Sequence, residues 1–99
     1  MAIIYHITTG DQWREAQEKG FYQSLSLAEE GFIHCSESRQ LEGVVERYFK
    51  GKKDLLKLVI DTEKLTSPLY FDWSSAIEDT FPHIYGPVNL EAVQSTEPV

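Results

Sequence analysis

Residues 2–8, AIIYHIT, are rich in β-branched and aromatic side chains and predict a strand. Ile3, Tyr5 and Ile7 share one face; Ile4, His6 and Thr8 share the other. The pattern breaks at TTGD. There Thr9 or Asp11 can cap a helix over 11–19, with Trp13 and Ala16 as a short apolar stripe and Gly20 as its stop. SLAEEG (26–31) reads as a capped helical turn, because Ser26 and Glu29 have capping-box spacing and Gly31 can end it. FIHCS (32–36) is then a short strand, with Phe32, His34 and Ser36 on one face and Ile33 and Cys35 on the other.

The clearest helical period spans 37–50, where Leu41, Val44, Val45, Tyr48 and Phe49 form one apolar face. Ser36 or Ser38 can cap its start, and Gly51 sits where a left-handed terminator is expected. DLLKLVIDT (54–62) and SPLYFDW (67–73) read as strands, and 74–81 as a polar loop. PHIYGPVNLEAVQ (82–94) alternates well enough for strands broken at Gly86-Pro87. The order β-α-(α)-β-α-β-β-β predicts an α+β fold: a mixed or antiparallel sheet with two main helices packed on it. The 99 residues imply one domain over 1–99, with a loosely held C-terminal end.

Composition narrows the class. Apolar residues are 41% and aromatics 12%, enough for one core. No apolar run approaches the roughly 18 residues of a membrane helix, and no signal-peptide pattern is present. One cysteine cannot form an internal disulfide, so a soluble cytoplasmic protein is expected. The net charge of −7 is unevenly spread. Residues 39–57 carry three acids and six bases (Arg39, Arg47, Lys50, Lys52, Lys53 and Lys57), while both flanks are acidic. The basic patch suits a solvated helix end and could attract an anion; the rest of the surface repels nucleic acid.

All three histidines, His6, His34 and His83, fall in strand-like segments. Imidazoles are costly to bury without partners, so three in one small domain point to a shared concave site, against the alternative of three unrelated satisfied rings. Zinc chemistry is disfavoured, since no pair has helical spacing and HExxH and CxxC are missing. Cys35 points away from His34 by alternation and belongs to the core as a small hydrophobe. Ser36 shares the face of His34 at a strand-to-helix junction, where free backbone N–H groups could seat an anionic or polar group. His83 and Tyr85 share a face in HIYGP, and Gly86 lets the backbone turn or approach a ligand. Trp13, Phe32 and Phe81 are candidate stacking walls, or simply core. GxGxxG, P-loop and GxSxG patterns do not occur.

Together YHITT, EGFIHCS and FPHIYGPVNL, in this order, resemble domain-of-unknown-function family 952 over nearly the whole chain, with DQWREA and RYFKGKKDLLKLVID agreeing. That family in turn resembles the ADP-ribosyltransferase superfamily, in particular its histidine-rich branch with the RNA 2′-phosphotransferases. The resemblance implies an NAD-binding cleft and a transferase or hydrolase acting at a ribose C1′. By motif, His6, His34 and His83 are the implied catalytic residues, and Thr8, Ser36, Tyr85, Gly86 and Asn89 the implied ligand contacts. The last motif has no glutamate; Asp72 and Glu78 lie upstream of it. Arg14, Arg39 and Arg47 lie outside the motifs, which argues against RNA 2′-phosphate removal. The expected partner is a small, nucleotide-like molecule, bound either by an enzyme or by a non-catalytic module.

Overall fold

The computed structural model describes residues 2–99. Strand β1 (Ile3–Thr9) lies antiparallel to β4 (Leu55–Asp61) along its full length, from Ile3 opposite Asp61 to Thr9 opposite Leu55. Strand β8 (Val93–Pro98) pairs with the far side of β4, with a bulge between Val59 and Ile60. Strand β8 runs to Pro98, one residue short of the last. A second three-stranded sheet has the order β3 (Ile33–His34), β6 (Asp79–Ile84), β5 (Leu69–Ser74). A two-stranded ribbon joins β2 (Phe21–Tyr22) to β7 (Val88–Asn89). All these pairings are antiparallel. The fold is a small α+β domain with antiparallel sheets and few helices.

Local signals explain the helices. In α1 (Gly10–Lys19) the Thr9 hydroxyl accepts from the Gln12 N–H, and Gly20 ends the helix in the left-handed region. Helix α2 (Leu25–Glu30) also ends on a left-handed glycine, Gly31. Its expected capping box does not form: Ser24 is the N-cap, and Ser26 Oγ donates instead to the Phe32 carbonyl. Helix 37–50 is shorter than its period suggested. It begins with a 3₁₀ turn over Ser38–Gln40 and becomes α3 (Leu41–Tyr48). Neither Ser36 nor Ser38 caps it. Glu37 does, through a capping box with Gln40, and the Glu37 N–H donates to Gln40 Oε1 at 2.9 Å.

The core gathers Ile4, Leu58 and Ile60 from the first sheet, Ile33 and Ile84 from the second, and Tyr22 and Val88 from the ribbon. Each fully buried aliphatic chain contributes about 1.5–3 kcal/mol. Ala16 anchors α1 to this core and Trp13 packs beside it. Helix α3 differs, because none of its residues is buried. The stretch 74–81 departs from the expected loop: β5 runs to Ser74, a turn passes through Glu78 at φ 57°, and β6 starts at Asp79. No helix among the described residues is long and apolar enough to cross a membrane. Leu58→Ala, at the core's centre, should lower the unfolding free energy by about 3 kcal/mol, read as a lower urea midpoint at unchanged slope; a loss below about 0.5 kcal/mol would contradict this packing.

Candidate functional site

The two larger sheets meet where Tyr5 and Ser36 exchange backbone hydrogen bonds of 2.8 and 2.7 Å. Beside this seam the His6 ring crosses from one sheet to the other. Its Nδ1 is 2.5 Å from the His34 carbonyl oxygen, which can only accept, so Nδ1 carries a proton. Nε2 is 2.7 Å from the Tyr22 hydroxyl, itself 2.9 Å from Thr8 Oγ1, which lies 2.9 Å from Gln12 Oε1. Burial pulls the His6 pKa down to about 4, against the raising effect of its bond to the His34 carbonyl. At neutral pH, Nε2 is therefore a lone pair served by the Tyr22 proton. Protonating His6 flips the first bond: Nε2–H then donates to Tyr22, Tyr22 to Thr8, and Thr8 to Gln12 Oε1. Burial likewise pushes the Tyr22 hydroxyl up to about 12.

His34 and His83 face each other across the β3–β6 pair, with ring centroids 5.0 Å apart. Each is backed by a carboxylate. Glu30 Oε2, at the end of α2, lies 2.8 Å from His34 Nε2. Asp72 Oδ2, in β5, lies 2.8 Å from His83 Nδ1 and also accepts from the Tyr85 hydroxyl. These two donors, Tyr85 first, hold the Asp72 carboxyl below its usual range, and the same contact raises Tyr85. An ionised carboxylate can only accept, so His83 Nδ1 bears a proton and Nε2 is left for other partners. Phe32 stacks on His83 at 4.2 Å and meets His34 edge-on at 4.9 Å, fixing both rings.

These groups border a cavity of about 660 Å³, within the usual range for small-molecule sites. His6, His34, His83 and Ser36 all line it, with Tyr48 and Phe49 at the end of α3 and Trp73 and Phe81 from the β5–β6 hairpin. The hairpin is tied to the start of α3 by Arg39, whose guanidinium is 2.7 Å from Asp79, and by the Gln40 amide, which donates to Asp79 and to the Thr80 carbonyl. The Arg39 contact, foremost, holds Asp79 well below the carboxylate range. The Ser36 hydroxyl and His83 Nε2 make no hydrogen bond to the described residues. No buried side-chain nitrogen or oxygen among those residues lacks a partner, so both atoms are open to solvent.

The other expected ligand contacts lie elsewhere. Thr8 is buried behind Tyr22, and Tyr85 stands behind Asp72. Gly86, at φ 153°, meets Ser67: an added Cβ would lie 2.5 Å from Ser67 Oγ. Asn89 staples a loop, accepting from the Thr66 N–H at 3.1 Å and donating to the Lys64 carbonyl at 2.8 Å. At the junction after Ser36 the Glu37–Gln40 capping box engages two of the backbone donors and places the Glu37 carboxylate there, which disfavours an anion. Cys35 is in the core, its thiol pKa raised by burial. No group of three or more His, Cys, Asp and Glu side chains among the described residues could hold a metal ion. Sequence reasoning missed Glu30, Asp72, Tyr22 and Trp73 as site residues. A lone aspartate inside the aromatic strand LYFDW was the available signal for Asp72.

Fold and site define a small antiparallel α+β domain built around a histidine-lined cavity. The chain belongs to the family described as Protein of unknown function (DUF952), whose model matches residues 7–96. It is similar to the crystal structure of protein CC0527 from Caulobacter crescentus, with 28% identity over 98% of this chain and 85% of that one, at TM-score 0.88. The solution NMR structure of CC0527 gives 28% identity over 100% of this chain and 85% of that chain, at TM-score 0.83. No curated protein matches the chain.

The pH dependence of stability tests the His6 assignment. A folded pKa of about 4, against 6.5 for the free side chain, means the unfolded chain binds the extra proton first. The contribution is full above pH 6.5 and drains away as pH falls toward 4, amounting to about 3 kcal/mol. His6→Gln should flatten that window of the stability profile in urea titrations. A wild-type profile flat between these values would refute the buried neutral ring.

Proposed function

We propose that the cavity binds NAD or a related ribosyl compound and that the domain is an ADP-ribosyl (glycosyl) transferase-like enzyme or hydrolase. The observation that carries this reading is the Asp72–His83 pair, in which a carboxylate fixes the tautomer and leaves Nε2 open as a base beside His34. An acceptor hydroxyl or water attacks the ribose C1′ and gives its proton to His83 Nε2. The C1′–N bond breaks with its electron pair passing to the pyridinium nitrogen, so nicotinamide leaves neutral and needs no acid. His34 and the Ser36 hydroxyl are in position to orient the ribose, while His6, with both nitrogens engaged, fixes the backbone of His34 instead of touching substrate.

The residues fit the nicotinamide–ribose half of NAD better than its diphosphate. Aromatic walls and hydroxyls line the cavity, and no lysine or arginine does among the described residues. A second reading, a non-catalytic binder of a small nucleotide-like ligand, is favoured by one fact: no carboxylate lines the cavity directly.

Purified protein incubated with nicotinamide-labelled NAD should release nicotinamide. His83→Ala should slow release by about 10²–10⁴-fold. Asp72→Asn should lower the rate and move its dependence on pH, since the imidazole loses its orienting acceptor. Binding without release supports the binder; neither binding nor release sinks both readings.

A further inference from the structure

We infer that, among ribosyl compounds, this cavity prefers those that carry a positively charged aromatic base and no phosphate. The inference rests on the reading of the cavity as a ribosyl site and narrows it by charge. The walls are rich in aromatic rings. Trp73 is 65% and Tyr48 53% exposed, and both line the cavity with Phe49 and Phe81. Exposed aromatic faces attract a cationic ring, and Trp does so best.

The cations that would grip a diphosphate are absent from the lining or committed elsewhere. Arg39 is held by Asp79 and Glu37. Lys52 reaches the Phe49 ring, 5.6 Å from its centroid, without lining the cavity. Behind the two facing imidazoles stand two carboxylates, Glu30 and Asp72, each 2.8 Å from a ring nitrogen. Neither carboxylate lines the cavity, but each stands one ring behind it, where negative charge favours a cationic ring over a dianionic diphosphate. Such a base leaves as a neutral ring, which suits a site with an oriented base and no acid on its lining.

Calorimetric titration with nicotinamide riboside, its 5′-monophosphate, NAD and ADP-ribose separates these cases. Nicotinamide riboside should bind about tenfold tighter than NAD. Its binding should weaken as salt is raised, and ADP-ribose should bind weakest. Trp73→Ala, at an exposed position the fold does not need, should weaken riboside binding by about tenfold. Tighter binding of NAD or ADP-ribose than of the riboside, or riboside binding indifferent to Trp73→Ala, overturns the inference. The expected binding order without nicotinamide release sinks the reaction and keeps the inference. Faster release from NAD than from the riboside does the reverse, and no binding by any of the four overturns both.

Discussion

The site depends on one seam between two three-stranded sheets. Tyr5 and Ser36 join them through the backbone, and the His6 ring bridges them from Tyr22 to the His34 carbonyl. A histidine serves here because its two nitrogens point opposite ways and can be donor and acceptor at once. Removing either partner would leave a buried polar atom unpaired, at a cost of about 1–3 kcal/mol. His34 lies opposite His83 in the strand pair next to that seam, which sets where the two rings meet.

Much of this was legible in the sequence. Alternation in AIIYHIT grouped Ile4, His6 and Thr8, all of which are buried, although Ile7 of the other face is buried too, and capping chemistry at Thr9, Gly20 and Gly31 set the helix limits. Strand alternation also separated Cys35 from His34. Segments whose structure is decided by distant partners were not legible. Phe21–Tyr22 is a strand only because Val88–Asn89 lies beside it. Residues 79–81 join a sheet because β5 turns back on them through Glu78. Ser36 and Glu37 compete for one cap, and the longer side chain, answered by Gln40, takes it.

The same limit applies to the site. Residue type picked out three histidines that border one cavity, but not their unequal roles. His6 is spent on architecture, whereas His34 and His83 retain accessible chemistry through carboxylates from α2 and β5. Gly86 and Asn89 belong to a motif whose conformational needs are local: one accommodates Ser67 and the other secures the 64–66 loop. A motif of adjacent letters thus divides between binding surface and scaffold, and only the third dimension separates them.

Helix α3 has the longest apolar stripe in the sequence and buries none of its residues. Val44, Tyr48 and Phe49 face the cavity instead of the core. The stripe is therefore the lining of a cavity, and the proposed ligand would cover it. With so little buried, residues 41–48 are expected to open below the free energy of global unfolding, and an occupant would raise that by mass action. A guest seated as proposed would be a late-arriving part of the hydrophobic core, and amide protection in one helix would report its presence.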